Sequence, residues 1–356
     1  MAKIRILVVD DSVVFRRALS DEFSRDPALE VVGTASNGRI ALAKLGQLSP
    51  DLVILDVEMP EMDGLQALKE LRKTYPKLAV IMFSSLTERG AAATLDALAL
   101  GATDYFTKPA EMRGLDESLR VIREQMIPMI KAICAPPRPL RAPAGASPTG
   151  LTGPKAPIAT GTVRVLAIGA STGGPNALSE IFMHLPADFP VPILIVQHMP
   201  PMFTRLLAER LSAQSRIRVQ EASSGCVLKP GEAWVAAGDY HMTVAPDGLQ
   251  YHLLVHQGPP ENSCRPSVDV MLRSVAKSFG ADSLTVILTG MGQDGLRGCE
   301  LLRAAGGQIL AQDKASSVVW GMPGYVAQAG LADRVLPLSM IGGEIVQRVR
   351  AQKRSA

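Results

Sequence analysis

The sequence predicts an α/β protein built from two doubly wound units, and three observations carry that prediction. Short runs rich in Val, Ile and Leu alternate with longer amphipathic stretches, the pattern left by strands of a parallel sheet and the helices that cover them. The pattern occurs twice. Between its two occurrences lies a stretch of different composition: residues 125–179 hold no Asp or Glu, and Pro136, Pro137, Pro139, Pro143, Pro148, Pro154 and Pro157 crowd into it. Pro, Ala, Gly and Thr at this density bury too little apolar surface to make a core, so residues 125–162 read as a semi-extended linker. The 356 residues thus divide into a first domain at 1–124 and a second at 163–356.

In the first domain the strand candidates are Ile4–Val9, Val31–Thr34, Leu52–Leu55, Ala79–Phe83 and Asp104–Phe106. Five strands with intervening helices predict a flavodoxin-like, five-stranded parallel sheet. In the second they are Arg164–Ile168, Ile193–Val196, Ser283–Leu288 and Gln308–Ala311. The segment Gly225–Val255 breaks that rhythm. Pro230-Gly231 and Pro246-Asp247-Gly248 mark turns between short alternating runs, which predicts antiparallel hairpins inserted into a mostly parallel domain.

Composition narrows the functional classes. The 37 Lys and Arg against 34 Asp and Glu leave a net charge of only +3, which argues against a nucleic-acid-coating protein. At 47% hydrophobic and 20% charged residues, the chain is not a disordered one. Cys134, Cys226, Cys264 and Cys299 show no paired spacing, so neither a disulfide framework nor a zinc knuckle is expected, and the compartment is expected to be reducing. No apolar run approaches the ~18 residues of a membrane helix, and the start lacks a signal-peptide core. A cytoplasmic protein without direct membrane insertion is the expectation.

Chemistry-bearing residues gather at predicted strand ends. Asp10 and Asp11 follow the first strand of the first domain and Asp56 the third, so three carboxylates share the carboxyl edge of one sheet. Such crowding calls for a hard, oxygen-seeking cation, and Mg2+ fits. Ser84 follows the fourth strand and Lys108 the fifth, a hydroxyl and an ammonium suited to a phosphoryl group. Together they describe a phosphoryl-transfer site with a carboxylate nucleophile.

The motifs VVDDS, LDVEMPEMDG, SS and TKP closely resemble the receiver domain of two-component response regulators, over residues 3–124. The resemblance implies Asp56 as the phospho-acceptor, with Mg2+ held by Asp10, Asp11, Asp56 and the Glu58 carbonyl. It also implies Ser84 and Tyr105 as residues that rearrange on phosphorylation, although Tyr105 reads equally well as packing between sheet and helix. No DNA-binding motif follows.

In the second domain RVLAIGASTGGPNAL runs from a buried strand through glycines into a helix, with Ser171 at the corner. Gly169-Ala-Ser171-Thr-Gly173 fits the G-x-S-x-G elbow, whose helix offers N–H groups to an oxyanion. Two other readings are a plain helix cap and a dinucleotide-phosphate loop. Against the latter, Ser171 stands where a second glycine belongs, and the next strand ends in Gln197-His198 in place of a ribose-binding acid. Asp294 in TGMGQDG follows a third strand. Ser171, His198 and Asp294 therefore converge at a carboxyl edge as nucleophile, base and orienting acid. Their order differs from the Ser, Asp, His of α/β-hydrolases. His256 competes with His198 for the base and Asp313 with Asp294 for the acid, whereas His184, His241 and His252 lack such strand-end positions.

GASTGGP, QHMP, TGMGQDG and WGMPGYV resemble the CheB family of chemotaxis protein-glutamate methylesterases, over residues 163–350. The resemblance implies a phosphorylation-activated serine hydrolase without a cofactor of its own. It would hydrolyse glutamate γ-methyl esters and deamidate some glutamines on the cytoplasmic helices of methyl-accepting chemoreceptors. A CheA-type histidine kinase would be the phosphodonor. Further implied roles are Thr172 and Met291 N–H groups for the oxyanion and Arg205 lining the site, although Arg205 reads nearly as well as a solvated residue on a helix face.

Overall fold

The computed structural model describes residues 2–109, 115–134 and 162–351. The first domain runs β1(Ile4–Val9), α1(Val13–Ser24), β2(Leu29–Ala35), α2(Gly38–Leu48), β3(Leu52–Asp56), α3(Gly64–Thr74), β4(Ala79–Ser84), α4(Glu88–Ala99), β5(Asp104–Thr107). Its sheet has the order β2-β1-β3-β4-β5, all parallel. Local chemistry starts the helices: Ser12, Asn37, Asp63 and Thr87 each accept a backbone N–H three residues on, and Asp63 completes a capping box with Gln66.

A helical segment closes the domain as α5(Leu115–Val121), a π-helical turn at Ile122–Met126 and α6(Ile127–Cys134). Here the structure corrects the boundary expected at 124. Met126, Ile127 and Ile130 are buried against β1, β3 and β4 through Ile6, Ile54 and Ile81, so their apolar spacing keeps the chain helical to Cys134. Residues 135–161 of the expected linker lie outside the described residues.

The second domain comprises β6(Val165–Ala170), α7(Gly174–His184), β7(Ile193–Gln197), α8(Phe203–Gln214), β8(Arg218–Glu221), β9(Glu232–Val235), β10(His241–Asp247), β11(Gln250–His256), α9(Val268–Phe279), β12(Ser283–Ile287), α10(Leu296–Ala304), β13(Gln308–Gln312), α11(Met322–Gln328), β14(Arg334–Leu336) and α12(Leu338–Arg350). Seven strands form a parallel sheet in the order β14-β13-β12-β6-β7-β9-β8, and β10 and β11 make a separate antiparallel pair. One part of the expected hairpin insertion is thereby corrected. β9 joins the main sheet in parallel between β7 and β8, because Ala233, Trp234 and Val235 bury side chains on both of its faces.

The domains are packed together. One apolar cluster runs continuously from Ala97, Leu98 and Tyr105 of the first domain to Met199, Phe203 and Leu207 of the second. Around it Asn176 donates to the Leu98 carbonyl at 2.9 Å, Arg205 meets Glu88 at 2.5 Å and Arg210 meets Asp96 at 2.7 Å. The ring of Tyr105 stacks on Phe203, centroids 4.8 Å apart and planes 9° from parallel.

Candidate active site and phosphoryl switch

In the first domain, β1 and β3 are neighbours, so Asp10 and Asp56 leave adjacent strand ends where the winding direction reverses. Carboxylate oxygens of Asp10, Asp11 and Asp56 lie within 4.8 Å of one another. Asp10 and Asp56 are buried, and Lys108 Nζ stands 2.8 Å from a carboxylate oxygen of each. Burial and the neighbouring Asp10 push the Asp56 carboxyl up to about 6, and burial also raises that of Asp10.

This hard oxygen set, with more negative charge than one ammonium neutralises, fits a divalent cation such as Mg2+. Glu58, two residues past Asp56, donates its N–H to Asp56 Oδ1 at 3.3 Å. Ser84 is fully buried, with its hydroxyl donating to the Gly90 carbonyl at 3.0 Å. Tyr105 packs across the domain junction and not only against its own helices. Millimolar Mg2+ is expected to raise the thermal midpoint of the full chain, with about 2.7 kcal/mol gained at a hundredfold excess over Kd. Asp56→Asn should remove most of that gain in a calorimetric scan, and an undiminished gain would place the cation elsewhere.

In the second domain, β12, β6 and β7 lie side by side, and Ser171, His198 and Asp294 follow their carboxyl ends. The turn holding Ser171 depends on glycines. Gly173 has φ +75°, and a Cβ on Gly174 would lie 2.0 Å from Gln197 Oε1. The loop after β12 presses equally close, since a Cβ on Gly290 would fall 2.8 Å from that of Ser171. Only a residue without a side chain lets the Met291 backbone run beside the serine. Thr172 is buried in the same turn, and the Met291 side chain is exposed.

His198 Nε2 bonds Asp294 at 2.8 Å. Asp294 also accepts from the Ser267 hydroxyl at 2.8 Å, Asn262 at 2.9 Å, and the N–H groups of Val268 at 2.7 Å, Asp269 at 3.0 Å and Gly295 at 3.1 Å. Three of these donors stand at the start of α9, so the helix end adds its own positive potential. Burial alone would raise the Asp294 carboxyl, yet these bonds and the imidazole hold it down at about 2. For His198, burial alone would lower the pKa, but Asp294 and Cys264 overcome it and push it up to about 10.

Asp313 instead accepts from Ser316, and His256 accepts from the Gly258 N–H on the exposed end of the hairpin, so neither competes for the site. His241 donates from Nε2 to the Pro259 carbonyl and accepts the Ser267 N–H at Nδ1, and the other two histidines lie outside the cluster.

Two findings depart from the sequence expectations. Arg205 does not line the cleft: it is half-exposed and bridges Glu88 of the first domain and Glu209 of its own helix. Its place one turn into α8 faces it toward α4, where acidic side chains wait. Second, the remaining nitrogen of His198, Nδ1, has Cys264 Sγ as its neighbour at 3.6 Å. Among the described residues no hydrogen bond joins Ser171 Oγ to His198. Cys264, Asn262 and Ser267 all come from ENSCRPS, a stretch whose mixed polar residues gave no strand or helix period to read.

Above Ser171 the docked receiver narrows the cleft, leaving Ser171 half-buried. A cavity of about 130 Å³ is lined by Ser171, Thr172, Gln197 and His198 from one domain and by Asp104, Tyr105, Phe106, Thr107 and Met129 from the other. Ligand pockets usually run to some 300 Å³ or more, so the docked receiver leaves little room beside Ser171 for a substrate. A larger cavity, about 640 Å³, lies near the amino ends of β6 and β7 among Arg164, Pro192, Lys229 and Tyr251, away from the site residues.

With this geometry established, comparison with known proteins is decisive. The CheB methylesterase family matches residues 166–345 and the response regulator receiver domain matches residues 6–120. The chain belongs to the CheB methylesterase family. It is 54% identical over 353 residues to a protein-glutamate methylesterase/protein-glutamine glutaminase of Trichodesmium erythraeum, covering 98% of this chain and all of that one. A protein of the same name from Nocardioides sp. is 51% identical over 360 residues, covering 100% of this chain and 98% of that one. Among solved structures, the Thermotoga maritima CheB methylesterase catalytic domain superposes with a TM-score of 0.51 at 40% identity, over 52% of this chain and 98% of that one. Among the described residues of this CheB-family chain, no helix is long and apolar enough to cross a membrane.

Proposed function

We propose that this CheB-family chain is a phosphorylation-controlled protein-glutamate methylesterase and protein-glutamine glutaminase acting on chemoreceptor cytoplasmic helices. The observation that carries the reading is the meeting of Ser171, His198 and Asp294 at three neighbouring strand ends, under a cover supplied by the receiver. Asp294 holds Nε2 of His198, so Nδ1, now beside the Cys264 thiol, is the nitrogen that serves the serine once substrate is bound. Ser171 Oγ attacks the γ-carbonyl carbon of the glutamyl ester while His198 Nδ1 takes its proton. The oxyanion that forms is bound by the N–H groups of Thr172 and Met291. Collapse of the intermediate expels methanol, or ammonia from a glutamine, with His198 returning the proton. Water then enters by the same route and frees the glutamate.

In the receiver, Asp56 is the phospho-acceptor and takes the phosphoryl group from a CheA-type histidine kinase. Mg2+ held by Asp10, Asp11, Asp56 and the Glu58 carbonyl would neutralise charge on the transferring group. Lys108 and Ser84 contact the phosphoryl oxygens once Ser84 leaves Gly90. Tyr105, stacked on Phe203, ties that rearrangement to the cover over Ser171. The cytoplasm is the matching compartment. Methanol release from methylated receptor, with and without a small phosphodonor and Mg2+, tests the whole reading: no release in either state overturns it.

General-base work requires neutral His198, so its elevated pKa sets the rising limb of the pH profile. Because Cys264 helps raise that pKa, Cys264→Ala should move the limb of kcat/KM to lower pH in the phosphodonor-treated chain. An unmoved limb would make the thiol a bystander. The same sign applies to stability: this imidazole stabilises the fold fully below pH ~6.5 and loses that contribution as pH rises through about 10.

A further inference from the structure

A receiver that only covered the cleft would need nothing but apolar surface, and Tyr105 and Phe106 supply it. Beside them, however, stands Asp104, only 4% exposed, at the start of β5. Its Oδ1 accepts the N–H of the next residue, Tyr105, at 2.8 Å, while Oδ2 is buried without a hydrogen bond. Among the described residues its carboxyl accepts from no other part of its own domain. What it faces is the elbow of the other domain, with Thr172 across the same cavity; burial pushes its carboxyl up to about 7, and the nearby Thr172 hydroxyl and Gly173 N–H, neither within hydrogen-bond geometry, partly oppose that. It shares the cavity with Ser171, Gln197 and His198. Gly173 precedes the eleven-residue α7, so the group is aimed at a helix N-terminus, where N–H groups point outward. A carboxyl in this place is costly to bury and would be selected against in a plain apolar seal.

We propose that Asp104 is a tethered occupant of the acyl subsite, its carboxyl group standing where the γ-carboxyl derivative of a substrate Glu or Gln side chain binds. Inhibition is then competitive in character: the receiver withholds Thr172 and Gly173 from the substrate as well as blocking the path to Ser171. A side-chain carboxyl or carboxamide is the chemistry the subsite takes, which matches both an ester's acyl group and the glutamate product. The inference rests on the reading of Ser171 as the nucleophile.

Two substitutions in the full-length, unphosphorylated chain separate this from a steric seal. Asp104→Asn keeps a planar polar group of the same size and should leave basal methanol release within about twofold of the parent. Asp104→Leu keeps the bulk but removes the carboxyl that faces Thr172 and Gly173, and should raise basal release about fivefold, the scale of one polar interaction. A mere seal predicts the opposite sign, since an apolar side chain would remove a buried unpaired oxygen and tighten the closure. Basal release at or below the parent level for Asp104→Leu overturns the proposal, as does an equal rise for Asp104→Asn. Solution X-ray scattering of the same chains reads docking without catalysis: Asp104→Leu should shift the population toward separated domains and Asp104→Asn should not. A chain that releases no methanol even with phosphodonor would sink the methylesterase reading alone, because scattering still decides the role of Asp104.

Discussion

Replacing Ser171 by Ala is expected to lower methanol release from methylated receptor by at least ~10⁴-fold in the phosphodonor-treated chain, the range seen when a triad nucleophile is removed. The physical ground is that Ser171 is the nucleophile held at the elbow, whereas the Cys264 thiol, 3.6 Å from the same imidazole nitrogen, comes from the ENSCRPS loop and not from the elbow. The substitution removes one oxygen that makes no side-chain hydrogen bond among the described residues, so the thermal midpoint should stay within a degree or two. Stability is the control and turnover the result. Retained turnover would mean that the nucleophile is misassigned, and Cys264→Ala in the Ser171→Ala background would then be the informative second change.

The second large effect concerns the cover. A fragment spanning 163–356 should hydrolyse receptor methyl esters at least tenfold faster than the unphosphorylated full chain. It lacks Asp104, Tyr105 and Met129, which narrow the cavity over Ser171, and it exposes Phe203 where Tyr105 now stacks. A similar catalytic domain from Thermotoga maritima has been solved as a separate chain, so the fragment has a precedent as a folded unit. A tenfold change corresponds to about 1.4 kcal/mol, well within what an apolar contact plus two partly exposed ion pairs supply. High salt should narrow the difference by screening Arg205–Glu88 and Arg210–Asp96. Equal rates for fragment and full chain would remove the receiver's inhibitory role altogether.

Much of the fold can be read from residues alone because its strands are buried on both faces. VLAIGA, ILIVQ and SLTVI are apolar runs that solvent-facing strands do not show, and their ends carry the polar residues. The edge strands are the harder cases. RVQE and RVL alternate weakly and are short, and pairing with β9 and β13 rather than propensity makes them strands. The helix to Cys134 was hidden by a reading that took the absence of acids for the start of a linker. Its apolar spacing, Met126, Ile127 and Ile130, is the signal that would have found it.

The site divides along the same physical line. Strand-end position singles out Asp10, Asp11, Asp56, Lys108, Ser171, His198 and Asp294, because a parallel sheet delivers every strand to one edge and the local sequence tells where each strand stops. By itself, then, the sequence determined which residues meet and at which edge of each sheet. The tertiary structure alone decided what stands between them and solvent: that Arg205 turns to Glu88 and not to the cleft, that Cys264 takes the second nitrogen of His198, and that Asp104 of one domain reaches the serine turn of the other. Those contacts join residues 66 to 117 positions apart through loops and helix faces with no period of their own, and only packing of the two domains brings them together.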